Sequence, residues 1–404
     1  MPDDHWIDAA EAARRLEVKP ATLYAYVSRG LLTRRRHTDG RRSLFDPAEI
    51  AALHRRGSND QAGPFAFTSA ITSLGADRPF FRGRDALQLA RTSSYESVAG
   101  WLWTGTDGEG QQPWVARDAA VHAAVAAQAA LPRDVLSLDR LQLIVTTLGV
   151  MDPMRFNLDA DAVVATARSL IAGMIDALPS VSRRKPTTTA SVPLRLWPKL
   201  TARAPDQPLV DTLRAALILL ADHELAASTV AARVAASVKA DPYAVVAAAL
   251  GVVGGPMHGG ASLGAERLLA QMRNPDDAPR VIGERLREGD RIPGVGHAVY
   301  KNGDARGLLL FELLRAAAPR HPKLAAAEAA LAEVNARGLP APNSDFAVAT
   351  LTAICDMPVG SGEAIFAIAR TAGWIAHAME EYTRRSPFRP RASYVGPDPE
   401  PAIT

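Results

Sequence analysis

The sequence predicts a mainly α-helical protein made of a short N-terminal unit and a long second part. Beyond residue 65 the chain is rich in alanine and is typical of helix almost throughout. Strand-like segments do not alternate with helices, which excludes a parallel α/β sheet. A polar segment containing Gly and Pro, residues 58–65, is predicted to be a linker that separates the long part from residues 1–57.

Composition narrows the class of protein. The 404 residues include 48% hydrophobic and 22% charged residues, which excludes wholesale disorder. The net charge of +3 is too small to imply nucleic-acid binding by itself. The single cysteine, Cys355, excludes an internal disulfide and a zinc site built from several cysteines. The start MPDDHWIDAA is not typical of a signal peptide, and the longest nearly apolar run, Ala244–Met257, is too short to span a membrane. We therefore expect a cytoplasmic protein.

Residues 1–57 follow the order helix, tight turn, helix, hairpin, helix. The predicted elements are an amphipathic helix Ile7–Leu16 capped by Asp8, a helix from Pro20 to Gly30, a hairpin turning at Asp39 and Gly40, and a helix capped by Asp46 and Pro47 and closed by Gly57. This order is the layout of a winged helix-turn-helix domain.

The charge of this unit is concentrated in one stretch. Its arginines are Arg29, Arg34, Arg35, Arg36, Arg41 and Arg42, opposed only by Asp39. The stretches SRGLL and GRRSLFDPAEI resemble the MerR/excisionase type of DNA-binding domain. That resemblance implies that the basic hairpin, the wing, contacts DNA phosphates. The alternative is a solvated hairpin that packs on the neighbouring domain or serves as an interaction module.

The long part is predicted to be a succession of helices. They are Arg84–Ala90, Ser94–Trp103, Arg117–Ala130, Leu138–Leu148, Asp159–Ala177, Pro208–Ala221, Ala226–Val238, Pro242–Val253, Gly264–Met272, Ala305–Ala318, Lys323–Asn335, Phe346–Ile354 and Gly362–Arg384. Short strands are predicted only near Ala70–Leu74 and Pro79–Arg82.

Histidines, one carboxylate and several arginines mark the candidate site. His258 (GGPMHGGAS) and His297 (IPGVGHAVYK) lie in glycine-rich turns, and His223 lies in LADHELAAST. Asp345 precedes an apolar helix, although Asn343-Ser344-Asp345 is also an ordinary helix cap. The accompanying arginines are Arg306, Arg370 and Arg389. An arginine on an apolar helix must be paired or bind an anion, so these residues favour a site for a polycarboxylate.

The order of the motifs resembles the citrate synthases and 2-methylcitrate synthases. HELAAST, GPMHGGAS, PGVGHAVYKNGDAR, PNSDF, FAIARTAGW and RPRASYVG follow one another as in that family, and the resemblance covers about residues 66 to 397. It implies a mainly α, dimeric fold with the site in a cleft between two domains. The large domain would comprise residues 66–261 and 358–404, and the small domain residues 262–357.

The resemblance also implies roles for individual residues. Asp345 would be the base that takes a proton from acetyl-CoA, His258 would bind the thioester oxygen, and His297 would polarise the ketone of oxaloacetate. His223, Arg306, Arg370 and Arg389 would bind substrate carboxylates, with Arg389 supplied by a partner subunit. The CoA contacts are expected at Val295, Gly296, Lys301 and Asn302. No metal and no tightly bound cofactor is expected, because the CoA thioester is a substrate.

Three positions depart from the family's usual motifs, and none of these departures removes a catalytic side chain. Ala226 stands where Asn is common, Ala305 where Pro is common, and Ser344 adds a hydroxyl beside Asp345. The expected reaction is condensation of acetyl-CoA with oxaloacetate and water to citrate and CoA. One alternative is 2-methylcitrate synthase acting on propionyl-CoA, since one methylene changes binding by only about 1–3 kcal/mol. Another is a DNA-binding regulator that senses a metabolite, against which the full set of His258, His297 and Asp345 argues.

Overall fold

A computed structural model describes residues 6–16, 18, 20–28, 32–37, 43–51, 68–107, 112–184, 187–255, 258–390 and 396. The chain divides into two compact units, residues 1–68 with 389–404 and residues 69–388. Most described residues are helical and the strands are short, which confirms the predicted mainly α fold. The predicted linker, residues 58–65, lies outside the described residues. The predicted division into large and small domains stays a prediction.

The first unit contains a three-stranded antiparallel sheet and three helices. They are β1 (Ile7–Asp8), α1 (Ala9–Arg15), α2 (Pro20–Ser28), β2 (Arg34–Arg36), β3 (Ser43–Phe45) and α3, of which residues 47–51 are described. Strand β3 pairs with both β1 and β2. Asp8 caps α1 as predicted, accepting the Glu11 N–H at 2.8 Å. The predicted hairpin turn at Asp39 and Gly40 lies outside the described residues.

The second unit begins with a small antiparallel sheet of β4 (Thr72–Leu74), β5 (Pro79–Phe81) and β6 (Arg84–Asp85). Its first helices are α4 (Ala86–Thr92), α5 (Tyr95–Thr104), α6 (Asp118–Ala127), α7 (Ser137–Val150), α8 (Ala160–Ala177), α9 (Val192–Leu200), α10 (Gln207–Leu220), α11 (Ala227–Ser237) and α12 (Pro242–Val253). The others are α13 (Gly260–Ala270), α14 (Ala278–Arg287), α15 (Ala305–Ala317), α16 (Pro322–Ala336), α17 (Ser344–Ile354) and α18 (Ser361–Thr383), with a short 3₁₀ turn at Pro275–Asp277.

Helix α18 forms the centre of the second unit. Every residue from Ser361 to Ala378 is buried, and α18 packs against α5, α7, α8, α10, α11, α12, α13 and α17. A helix that is apolar on all sides can be stable only inside a large core. The polar residues that α18 does carry, such as Arg370, therefore lie in the interior. Among the described helices, none combines the length and apolar character needed to cross a membrane.

Several element predictions were wrong in detail. Helices α9 and α14 were not among the predicted helices, and prolines occur in both. The predicted helix Arg84–Ala90 begins too early, because Arg84 and Asp85 form β6 on the edge of the small sheet. Helix α13 begins at Gly260, whereas the prediction placed its start at Gly264. The prediction was wrong because the glycine-rich stretch before Gly264 is typical of a turn.

Candidate active site

Most of the predicted site residues meet at one cavity of about 380 Å³ in the second unit. Its lining includes His223, His258, His297, Arg306, Asp345 and Arg370. These six residues are separated by up to 147 positions in the sequence, so the fold alone brings them together. Ala226 and Ser344, two of the departures from the family's motifs, also line the cavity.

Backbone pairing joins the loop of His297 to the segment that leads into Asp345. The Gly296 N–H donates to the Ala341 carbonyl at 2.8 Å, and the Asn343 N–H donates to the Gly294 carbonyl at 2.9 Å. The Asn343 side chain also donates to the Gly296 carbonyl at 2.8 Å and caps α17 by accepting the Asp345 N–H at 2.9 Å. The predicted helix cap at Asn343 thus also positions the acid.

Asp345 lies in the first turn of α17 and is half-buried. Burial raises the pKa of Asp345, although the Ser262 hydroxyl bond and the Arg306 and Arg370 charges act in the opposite direction. The Ser262 hydroxyl donates to Asp345 Oδ1 at 2.6 Å. This raised pKa makes the carboxylate a stronger base than an exposed aspartate.

His258 is held as a neutral ring. Burial lowers its pKa to about 4, with a smaller contribution from Arg370. Its Nε2 lies 2.7 Å from the Ser228 hydroxyl, which also accepts the Trp374 indole N–H at 3.2 Å. We assign the Ser228 proton to Nε2 and the ring proton to Nδ1, an arrangement in which the Ser228 hydroxyl donates to His258 and accepts from Trp374. His258 then offers one N–H as a hydrogen-bond donor.

His297 has the opposite tautomer. Its Nδ1 accepts the backbone N–H groups of Val299 at 3.0 Å and Tyr300 at 3.1 Å, so the ring proton is on Nε2. Burial and the nearby Arg306 lower its pKa to about 4. Its ring stacks on that of Tyr300, whose hydroxyl lies 3.0 Å from His223 Nε2. Burial and Arg306 hold the pKa of His223 well below its ordinary value, so this ring is also neutral.

Two buried guanidinium groups line the cavity. Arg306 pairs with Asp304, with Nε and one terminal nitrogen each 2.9 Å from a carboxylate oxygen. Arg370 donates to the Leu220 carbonyl at 2.7 Å, and no ion pair joins it to any carboxylate of the described chain. Burial lowers the pKa of Arg370 to about 10, which still leaves it charged at neutral pH. A buried unpaired charge of this kind suits an anionic ligand.

A second cavity of about 690 Å³ adjoins the first and shares Gly296, His297 and Ala298 with it. Of the predicted CoA contacts, Val295, Gly296 and Lys301 line this cavity, whereas Asn302 is not among its lining residues. Arg389 is exposed and belongs to the first unit, so its expected role as a residue supplied by a partner subunit stays a prediction.

Sequence reasoning missed several polar residues around the site. Ser262, Ser228, Tyr300 and Asp304 contact the predicted residues directly. Ser262 follows His258 by four positions and Asp304 precedes Arg306 by two, so proximity in sequence was the available signal. The hydroxyl that binds the Asp345 carboxylate comes from Ser262, whereas Ser344 contributes its backbone N–H to Asp304.

Comparison with known proteins identifies the long part of the chain. Residues 62–391 match the family described as "Citrate synthase, C-terminal domain". The chain belongs to the citrate synthase family. The members of this family are enzymes, and the chain is accordingly an acyltransferase-type enzyme that carries out a citrate synthase-type condensation. Residues 8–55 match "MerR HTH family regulatory protein", in agreement with the predicted N-terminal domain.

Individual members of the citrate synthase family resemble the chain over most of its length. Citrate synthase 2 of Bacillus subtilis is 29% identical over 364 residues, which are 83% of this chain and 95% of that protein. The 2-methylcitrate synthase 2 of Corynebacterium glutamicum is 29% identical over 340 residues, 78% of this chain and 88% of its own. Both activities therefore occur among relatives of equal similarity.

Solved structures agree with the fold. Citrate synthase from Pyrobaculum aerophilum superposes with a TM-score of 0.71 at 26% identity, covering 84% of this chain and 92% of that one. Citrate synthase from Thermoplasma acidophilum, solved as a ternary complex with carboxymethyl coenzyme A and oxaloacetate, gives a TM-score of 0.69 at 23% identity over 86% of this chain and 98% of that one. The second likeness shows the fold alone.

Proposed function

We propose that this enzyme condenses acetyl-CoA with oxaloacetate and water to give citrate and CoA, with Asp345, His258 and His297 as its catalytic residues. The observation that carries the proposal is a single cavity lined by a half-buried carboxylate, three neutral imidazoles and two buried guanidiniums. Neutral donors, a base of raised pKa and fixed cations are what enolate chemistry on a polycarboxylate partner needs.

In the first step Asp345 removes a proton from the methyl carbon of the acyl group. The developing enolate oxygen accepts a hydrogen bond from His258, whose Nδ1–H is free to donate because Ser228 occupies Nε2. A neutral imidazole suits this role, because a low pKa keeps it from being charged before the substrate arrives.

In the second step the enolate carbon attacks the ketone carbon of oxaloacetate. His297 presents its Nε2–H, and a terminal nitrogen of Arg306 lies 3.2 Å from that Nε2. Two donors at this separation can bind one substrate oxygen together. His297 then gives its Nε2 proton to the alkoxide and regains a proton from water. Water hydrolyses the resulting citryl thioester to release CoA, and Asp345 returns to its ionised form by releasing the proton that it took from the methyl group.

The substrate carboxylates are bound by Arg306, Arg370 and His223, with Arg389 expected from a partner subunit. Arg370 supports this assignment most strongly, because it is 2% exposed and has no carboxylate partner in the described chain. The CoA portion would lie in the adjoining cavity against Val295, Gly296 and Lys301, with Asn302 beside them in sequence. The Thermoplasma protein, which has the same fold, was solved with carboxymethyl coenzyme A and oxaloacetate, and this supports the proposed ligands.

Thiol release from acyl-CoA tests the proposal. We expect free CoA to appear with acetyl-CoA only when oxaloacetate is present. Release without oxaloacetate would indicate a thioesterase and would contradict the proposal. The same assay with propionyl-CoA tests the second candidate, 2-methylcitrate synthase, which the equally similar Corynebacterium relative favours. A higher kcat/KM with propionyl-CoA would establish that alternative.

We further propose that the enzyme is a homodimer. Apolar side chains are more than half exposed near the ends of α7 and α11, namely Val150, Met154, Phe156 and Val238. The Tyr243 hydroxyl on α12 donates to Asp152, just after α7, at 2.8 Å. On its outer face α12 exposes Ala244, Ala248 and Gly251 at helical spacing. Single exposed apolar side chains are ordinary, but several near the same helix ends are typical of a protein–protein interface. Light scattering should give twice the chain mass, and a Phe156→Glu variant should shift toward the monomer.

We also propose that the N-terminal unit binds duplex DNA. Its MerR-type match and the exposed arginines Arg34 and Arg35 on β2 support this proposal. Arg34 lies over the Tyr24 ring and Arg35 over the Trp6 ring, 5.6 and 5.7 Å from the respective centroids. Arginine carries a permanent positive charge, which attracts DNA phosphates.

A further inference from the structure

We propose that Ser262 is a positioning residue for catalysis, which holds the Asp345 carboxylate in place and sets the lower pH limit of the reaction. The inference rests on the proposed role of Asp345 as the base. Ser262 ends the motif GPMHGGAS, but the resemblance implies no role for it, and the assignment depends on a contact that only the folded chain creates.

The contact joins a buried hydroxyl to a half-buried carboxylate. Ser262 is 2% exposed and its hydroxyl lies 2.6 Å from Asp345 Oδ1. An ionised carboxylate only accepts, so the hydroxyl donates. In the described chain Ser262 is the only group found donating to the Asp345 carboxylate. Hydrogen bonds to a charged acceptor in a buried site are stronger than neutral ones, and their loss leaves the acceptor unsatisfied.

The position of Ser262 is fixed by the packing of α13 against the start of α18. One turn after Ser262, the buried Glu266 accepts the backbone N–H groups of Gly360 and Gly362, both at 2.6 Å. A Cβ at Gly362 would lie 3.3 Å from Ser262 Cβ and 2.9 Å from Glu266 Oε1, so only glycine allows this close approach. The two helices thus hold the hydroxyl against Asp345.

The charges around Asp345 do not replace this bond. Burial and the Asp304 carboxylate raise its pKa, whereas Arg306 and Arg370 lower it. His258 and His297, which line the same cavity, are neutral at pH 7. Neither arginine is found to donate a hydrogen bond to Asp345, because Arg306 is bonded to Asp304 and Arg370 to the Leu220 carbonyl. The hydroxyl therefore stabilises the ionised base in a way that its neighbours do not.

The test compares Ser262→Ala and Ser262→Cys with the wild-type enzyme in kcat/KM for acetyl-CoA across pH. Removing the donor destabilises the ionised carboxylate, so the pKa of Asp345 rises and the base stays protonated to a higher pH. We expect the acidic limb of the profile to move up by roughly 1 pH unit or more in Ser262→Ala. Cysteine keeps the volume but donates weakly, so Ser262→Cys should resemble Ser262→Ala. At pH values where Asp345 is ionised in every variant, any remaining loss in kcat measures how much Ser262 contributes to the orientation of the carboxylate.

Ser361→Ala is the matched control. Ser361 is also 2% exposed and donates to the Pro358 carbonyl at 2.6 Å, but it does not line the cavity. Ser361→Ala should lower the free energy of unfolding by about as much as Ser262→Ala and should leave the pH profile unchanged. An unshifted limb in both Ser262 variants would overturn the inference, as would a Ser262→Cys profile equal to the wild type. Failure of the underlying function is distinguishable, because it appears as near-normal turnover in Asp345→Asn whatever Ser262 does.

Discussion

At the scale of single residues, the chemistry of the cavity depends on which groups carry a proton at neutral pH. His258, His297 and His223 are neutral because each is at least partly buried and lies near a guanidinium. Asp345 is half-buried, and the loss of water around its carboxyl raises its pKa. Burial thus acts in opposite directions on acids and bases and prepares donors and an acceptor in one site.

Asp345→Asn should retain oxaloacetate binding and lose at least about 100-fold in kcat, because an amide cannot abstract the methyl proton. Calorimetric titration with oxaloacetate and steady-state kinetics measure the two quantities. Near-normal turnover would remove Asp345 from its proposed role.

Arg370→Leu should raise the KM for oxaloacetate strongly, because a buried charge that binds the substrate is lost. Arg195→Leu provides the control, since Arg195 is equally buried at 2% exposed but pairs with Asp176 away from the cavity. The control should lower the melting temperature and leave the KM unchanged. If Arg370→Leu altered only the KM for acetyl-CoA, this arginine would serve CoA instead.

The stability of the fold should fall as the pH decreases from about 6.5 to about 4. The folded pKa of His258 and of His297 is lowered to about 4, so the unfolded chain, with ordinary histidines, binds protons first. Their contribution is fully present above the unfolded pKa and is lost as the pH falls through this window. Melting temperatures of wild type and of His258→Asn and His297→Asn test this, and an equal pH slope in all three would contradict it.

At the scale of elements, the start of α15 approaches the start of α17 closely. A Cβ at Gly307 would lie 2.8 Å from the Asn343 carbonyl oxygen and 3.2 Å from the Ser344 nitrogen, both of them backbone atoms. Glycine at this position therefore allows the helix that carries Arg306 to pack beside the segment that carries Asp345.

Gly307→Ala should destabilise the protein by about 1–3 kcal/mol and lower kcat, because the added methyl must displace one of the two segments. Gly283→Ala is the control. In α14, a Cβ there would meet only the end of the Arg337 side chain at 3.5 Å, and alanine should stabilise the helix by about 0.5–1 kcal/mol. Chemical denaturation of both variants measures the difference, and equal stability changes would contradict this account of the packing.

The elements themselves could largely be predicted from sequence, because long apolar helices such as α8 and α18 have clear ends and composition. Helix α9 could not, since Pro198 within it argues locally against helix, whereas burial of Leu196 and Trp197 in the core stabilises it. The start of α13 was missed because glycines indicate a turn unless tertiary packing holds them in a helix.

At the scale of the whole molecule, the site depends on contacts between segments that are distant in sequence. Motif order identified six cavity residues, because each motif has its own local signal. Ser228 and Ser262 lie within two of these motifs, but nothing in the motifs indicates which group each serine contacts, and only the folded chain brings their hydroxyls to His258 and Asp345. The residues that line the cavity could thus be predicted from the sequence, whereas the hydroxyl groups that orient them could not.

The N-terminal unit should bind duplex DNA with an affinity that falls steeply as salt rises, since each neutralised phosphate releases counterions. Replacing Arg35, Arg36, Arg41 and Arg42 together by Ser should abolish binding and barely change catalysis. A matched control replaces Arg14 and Arg15 of α1, which pair with Glu11. Electrophoretic mobility shifts measure binding.

Deleting residues 1–57 gives the complementary test. If the truncated protein is still an active dimer, the N-terminal unit is not needed for catalysis or assembly. Its function would then be DNA binding or signalling by an effector. Loss of activity on deletion, together with no DNA binding by the full chain at any salt, would favour the structural role instead.

The central claim is that this cavity forms a carbon–carbon bond between an acyl-CoA and oxaloacetate. Mass spectrometry of the products from doubly ¹³C-labelled acetyl-CoA and unlabelled oxaloacetate tests it most directly. The account predicts one tricarboxylate that carries both labelled carbons, with one free CoA for each molecule formed. Labelled acetate with unconsumed oxaloacetate, or no reaction with oxaloacetate present, would contradict it.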